Sequence, residues 1–182
     1  LIFLIGLIDD LYNISPFIRL IFQFLIASGS WYSGFKIENL NISFLGLDQI
    51  VFFNDFVSLF FTIFWITGLV NAFNWLDGID GLAVGISLFV AIGMAFIANF
   101  SGNEIIVLPL ILLIGTCFGF LLFNIRAGKV IMGDCGSNFL GFLLSIISIK
   151  VFSNNNEMLN TYSFHFTSAI LIFFIPLFDM LR

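Results

Sequence analysis

The stretch VFFNDFVSLFFTIFWITGLV, residues 51–70, runs without a break into NAFNWLDGIDG, residues 71–81, and then into LAVGISLFVAIGMAFIANF, residues 82–100. Two apolar runs of about 20 residues, each the length that carries an α-helix across roughly 30 Å of hydrocarbon, enclose a short segment holding Asn71, Asn74, Asp77 and Asp80. Ionisable groups at membrane depth cost about 2.5 to 3.5 kcal/mol each on insertion scales, so the polar segment marks a functional site.

Composition places the rest of the chain in the same class. The 182 residues are 60% hydrophobic and only 9% charged, with a mean hydropathy of +1.15. A soluble domain is about 45 to 50% apolar and about 25% charged, so this is an integral membrane protein. A net charge of −5 with few bases argues against a nucleic-acid partner. Cys117 and Cys135 have neither CxxC nor zinc-ligand spacing, and no disulfide framework is expected.

Further apolar runs span Phe17 to Gly34, Ile105 to Phe123, Phe139 to Phe152 and Phe166 to Phe178, the last two short. All are apolar on every face and lack barrel-type alternation, so the expected fold is all-α. The reading is a polytopic helical bundle of about six complete transmembrane helices after an N-terminal stub at Leu1 to Ile8, forming one domain over residues 1–182. Residues 35–47 alternate in a way that suits a small extramembrane hairpin. The chain opens inside an apolar run and stops abruptly, which is expected of a fragment without activity by itself.

If each run crosses once, Asp9 to Ser15, Asn71 to Gly81, Asn124 to Asn138 and Asp179 all emerge on one face. Arg19, Arg126, Lys129 and Arg182 lie near that face and Lys36 and Lys150 opposite, so the positive-inside tendency makes it cytoplasmic. In the first loop the adjacent carboxylates Asp9 and Asp10 repel each other unless a cation or proton compensates; the plain alternative is a helix end in interfacial water. In the second, Asn71, Asn74 and Asp77 at intervals of three form one oblique polar stripe on a helix, which Asp80 extends unless Gly78 and Gly81 break it; the plain alternative is a structural polar turn whose amides cap helix ends. In the third, Arg126 and Lys129 are placed to hold phosphate oxygens, unless they are mere membrane anchors, and Asp134 between glycines is placed to ligate a metal. Ser137 or Asn138 is expected to cap the next helix. Oxygen ligands and amides without a histidine or thiol cluster suit Mg2+, with Mn2+ as an alternative, better than zinc.

Three motifs in order, Asp9-Asp10, Asn71 through Gly81 and Phe123-Asn124 leading to Met132-Gly133-Asp134-Cys135-Gly136-Ser137, resemble the polyprenyl-phosphate N-acetylhexosamine-1-phosphate transferase family, which includes phospho-N-acetylmuramoyl-pentapeptide transferase. That resemblance implies about ten transmembrane helices in the bacterial inner membrane and a cytoplasmic site. Undecaprenyl phosphate there attacks a UDP-N-acetylhexosamine-type nucleotide sugar and releases UMP, which initiates an envelope polysaccharide such as O-antigen. By the same resemblance Asp9 and Asp10 are catalytic, Asn74 and Asp134 serve Mg2+, and Asp77, Gly78, Asp80 and Asn124 meet the nucleotide sugar, with Asn71, Arg126 and Lys129 as further substrate contacts. The chain departs from the family pattern at Asn13, often an aspartate, and at Ala127-Gly128, usually Pro-Ala. Asn74-Trp-Leu-Asp77 looks closer to the O-antigen branch than to the muramoyl-pentapeptide branch. From another class, an ion-coupled transporter would keep its acids near the bilayer midplane, whereas here they lie at the ends of the apolar runs.

Overall fold

Asn54 begins the central helix by accepting the Val57 N–H on its side-chain oxygen at 2.9 Å, and Asp55 adds a negative charge to the first turn. In the computed structural model, which describes residues 1–41, 50–125, 130–153 and 166–181, this helix, α3, runs from Asp55 to Leu76. It follows α1 (Ile2–Tyr12), α2 (Pro16–Tyr32), β1 (Asn39–Asn41) and β2 (Ile50–Phe52), and precedes α4 (Leu82–Phe100), α5 (Glu104–Asn124), α6 (Gly133–Ser153), α7 (Phe166–Ile172) and α8 (Phe174–Leu181). The all-α expectation holds. Among the described residues, α3, α4, α5 and α6 are long and apolar enough to span a bilayer. The expected span from Phe17 to Gly34 is α2, whose 17 residues fall a little short of the usual crossing length.

The bundle is built on α3 and α6. Ile66, Leu69, Val70 and Phe73 of α3 and Leu144 and Ile149 of α6 are fully buried, whereas Phe56, Phe60 and Phe64 line an outward face of α3 suited to lipid. Glycines allow unusually close approach. A Cβ on Gly141 of α6 would lie 2.8 Å from the Leu69 carbonyl oxygen, and one on Gly6 of α1 would lie 2.5 Å from Cys135 Cα. Hydroxyls join helices inside the apolar bundle: Trp65 donates to Ser148 and Trp31 to Ser58, both at 3.0 Å. Such bonds contribute about 0.6 kcal/mol each in membranes, so they fix pairing more than they add stability.

Three local expectations change. The hairpin exists, with Asn39 opposite Phe52 and Leu40 opposite Val51, but its second strand takes residues 50–52, of which Val51 and Phe52 belong by hydropathy to the next span; the expected turn falls outside the described residues. The run from Phe166 to Phe178 is two short helices. Pro176 has no N–H for the carbonyl four residues back, at Ile172, and α7 ends at that residue, while the buried Phe173 ring packs edge-on against Trp65 and Phe73. Finally, α6 starts six residues before the expected Phe139, so Asp134 lies in its first turn.

Candidate functional site

Every aspartate of the expected site lies at a helix end or, for Asp80, in the turn between two helices, which is how the fold keeps charge out of the hydrocarbon. Asp9 and Asp10 belong to the last turn of α1, which Asn13 closes in the left-handed conformation at φ 49°, returning its N–H to the Asp9 carbonyl at 2.8 Å. Asparagine tolerates that conformation better than most residues.

Gly6 brings α1 against the start of α6, and Asp10 then does what Ser137 or Asn138 was expected to do. Its carboxylate accepts the N–H groups of Asp134 at 2.8 Å and Cys135 at 3.0 Å. The helix is capped from another helix, because Ser137 and Asn138 lie buried within it. Gly133 is required here twice over, by its φ of 68° and by the Asp10 oxygen that would stand 2.9 Å from any Cβ.

Asp134 is the meeting point of three helices. Its Oδ1 accepts the Asn74 amide N–H at 2.7 Å and its Oδ2 accepts Arg19 Nη1 at 2.9 Å; the same Nη1 also donates to Asp9 Oδ2. Asn74 further donates to Ser137 at 3.2 Å. Asp9, Asp10, Asn74 and Asp134 are therefore brought together at one place. Arg19, read in the sequence only as a charge near the aspartate face, joins them. The available signal was weak: a lone base in the first turn of α2, ten residues after Asp9.

Other expected contacts sort differently. Asn71 turns away from the carboxylates and donates to Gln23 Oε1 and the Thr67 carbonyl, both at 2.7 Å. Asn124 is buried, and its amide acts as a clasp, accepting the Gly81 N–H at 2.6 Å and donating to the Val130 carbonyl at 2.8 Å. Helix α3 stops at Leu76, so Asp80 does not continue the stripe; Gly78 and Asp80 lie exposed in the turn before α4. Arg126 and Lys129 fall outside the described residues. Replacing Asn124 by Leu is expected to cost about 1 to 3 kcal/mol, measured as thermal unfolding, because a buried N–H and C=O lose their partners.

Burial pushes the Asp77 carboxyl up from 3.8 to about 6, with the charges of Asp134, Asp10 and Asp80 adding to the effect. The folded protein thus holds this proton more tightly than the unfolded chain does, and stability falls as pH rises from about 4 through 6. Asp77→Asn is expected to melt higher than the parent protein above pH 7, by roughly 1 kcal/mol once solvent screening of this half-buried group is allowed for. The advantage should shrink below pH 6 and be gone near pH 4 in a pH series of melting curves.

Among the described residues no three acidic, histidine or cysteine side chains form a ready-made metal cage. What converges is a pair of carboxylates, Asp9 and Asp134, with the Asn74 amide beside them. Mg2+ commonly takes one or two carboxylates and completes its shell with water and substrate phosphates, so this hard-oxygen donor set fits it.

Fold and site together define a multi-pass membrane protein with an acid-lined site at the helix ends. A family model described as glycosyl transferase family 4 matches residues 1–152, and the chain belongs to that family. A Bacillus subtilis (strain 168) protein named as a probable undecaprenyl-phosphate N-acetylglucosaminyl 1-phosphate transferase is 32% identical over 182 residues, covering 98% of this chain and 48% of the relative. The phospho-N-acetylmuramoyl-pentapeptide-transferase of Lactobacillus johnsonii is 37% identical over 131 residues, 72% of this chain and 40% of the relative. That of Streptococcus pneumoniae serotype 2 is 46% identical over 99 residues, 53% of this chain and 29% of the relative. The chain thus spans about half or less of the length of these curated relatives.

Proposed function

We propose that this chain carries the catalytic centre of a transferase that moves a sugar-1-phosphate, of the N-acetylhexosamine type, from a UDP-sugar to undecaprenyl phosphate with release of UMP. The site would face the cytoplasm from the bacterial inner membrane. The observation that carries the reading is the convergence of Asp9, Asp10, Asn74 and Asp134 from the ends of three separate helices onto one spot. That position suits a reaction between a lipid-borne phosphate and a water-soluble nucleotide. It does not suit an ion pathway, for which acids are needed near the midplane.

Asp134 and Asn74, with Asp9 beside them, would hold Mg2+, which supplies charge neutralisation on the diphosphate and its leaving group. Asn74 directs its NH2 to Asp134 and Ser137, which leaves its carbonyl oxygen as the donor toward a cation. The acceptor phosphate, with a second pKa of about 6, is largely dianionic near neutral pH and needs little help from a base. Asp9 would orient it or take its residual proton, and direct attack on the sugar-linked phosphorus follows. Asp10, whose oxygens are occupied by the start of α6, is better placed to position Asp134 than to act as a nucleophile. A covalent aspartyl phosphate is the rival route, and UMP exchange in the absence of lipid acceptor distinguishes it.

Purified full-length protein in detergent with undecaprenyl phosphate, Mg2+ and a panel of UDP-sugars is the direct test. UMP release with a UDP-N-acetylhexosamine is the expected result, and none with any member of the panel would overturn the reading. Selective turnover of UDP-N-acetylmuramoyl-pentapeptide would place the protein in the peptidoglycan branch, a second reading that rests on the matches to pentapeptide transferases. The similarity to the Bacillus protein along nearly the whole chain favours the first.

A further inference from the structure

One nitrogen of Arg19 bridges Asp9 and Asp134. Nη1 donates to the Oδ2 atoms of both, at 2.9 Å to Asp134, and the two carboxylates come from helices 125 positions apart in the chain. Arginine usually grips one carboxylate with both prongs of its fork, whereas here a single NH2 group stands between two anions, one N–H to each. Among the described residues Arg19 is also the cation that pairs with this group of aspartates. A positive centre holding two carboxylate oxygens together is the arrangement that a small divalent cation provides.

Resting on the cation site proposed above, we propose that Arg19 is an internal counter-ion that competes with the divalent cation for the oxygens of Asp9 and Asp134. Both occupants need the same lone pairs, so cation entry displaces the guanidinium. A displaced guanidinium needs another anion, and the phosphates of the incoming substrate are the available kind. Arg19 is in this sense a positioning residue. It holds the two carboxylates close together before the cation binds, and it makes cation affinity weaker than the aspartates alone would give.

The sign of that effect separates competition from simple bracing. Mn2+ binding to the full-length protein, followed by electron paramagnetic resonance, is expected to be about tenfold tighter in Arg19→Gln than in the parent protein, because a positive charge beside the dication is gone. Turnover should fall in the same variant. Arg19→Lys, which keeps the charge, should bind Mn2+ within roughly threefold of the parent. Equal or weaker binding in Arg19→Gln would overturn the proposal and leave Arg19 as a structural brace. A parent protein that binds no Mn2+ at millimolar concentration would remove the cation site itself, and the competition with it. If Arg19→Gln does not fold, the parent protein still decides. The guanidinium 15N signal of Arg19, assigned through Arg19→Lys, must shift as Mg2+ is added and saturate with the binding curve. A signal unmoved at saturation would overturn the proposal.

Discussion

Asp134→Asn in the full-length protein is expected to reduce UMP release by about a hundred- to a thousandfold at saturating substrate, the range seen when a charge-stabilising group is removed from an active site. Asp134 is where the site is tied together: Arg19 from α2 and Asn74 from α3 both donate to its carboxylate, and its own backbone N–H is held by Asp10 of α1. The amide is nearly isosteric, so the bundle should keep its melting temperature within a few degrees while losing the charge that pairs with Arg19 and would hold a cation. Loss of activity without loss of fold is the expected signature. Activity within tenfold of the parent protein would remove the site assignment.

Gly6→Ala is expected to act through geometry instead. The added Cβ would sit 2.5 Å from Cys135 Cα, 2.6 Å from the Asp134 carbonyl oxygen and 2.7 Å from the Cys135 nitrogen, and all three are backbone atoms that cannot swing aside. Helix α1 must therefore back away from α6. Asp9 and Asp10, a turn further along the same helix, move with it, and the bonds from Asp10 to the N–H groups of Asp134 and Cys135 are the first to lengthen. Overpacking of this kind costs about 1 to 3 kcal/mol, and a displacement of about 1 Å at a catalytic group costs roughly a hundredfold in rate. Thermal unfolding and turnover together check it. Gly29→Ala in α2 is the control, since a Cβ there meets nothing within 4 Å, and it should be neutral or slightly stabilising. Equal behaviour of the two variants would rule out the close contact between α1 and α6 as the device that sets the site.

How much of this was legible beforehand depends on the range of the interaction. The polar loops announced themselves because carboxylates and amides stand out against apolar runs, and crossing parity was enough to put Asp9-Asp10, Asn74 and Asp134 on one face. Asn71 and Asn124 looked equivalent to Asn74 in composition, yet one bonds Gln23 inside the bundle and the other clasps two loops. Arg19 was passed over because a base near a helix start reads as a membrane anchor. Its role appears only once the start of α6 is folded back against α1.

By itself, then, the sequence determined that the chain is a helical membrane protein, where its polar segments fall, and which carboxylates and amides those segments hold. These follow from hydropathy and residue type, which are local properties. Only the tertiary structure decided which of those groups meet, that Asp10 caps a helix 124 positions away, and that Arg19 bridges Asp9 and Asp134. Helices such as α3 and α5 are apolar on all sides, so periodicity does not say which face turns inward. The face that α3 turns to α6, and that α1 turns to α6, is fixed instead by close backbone contacts at Gly141 and Gly6.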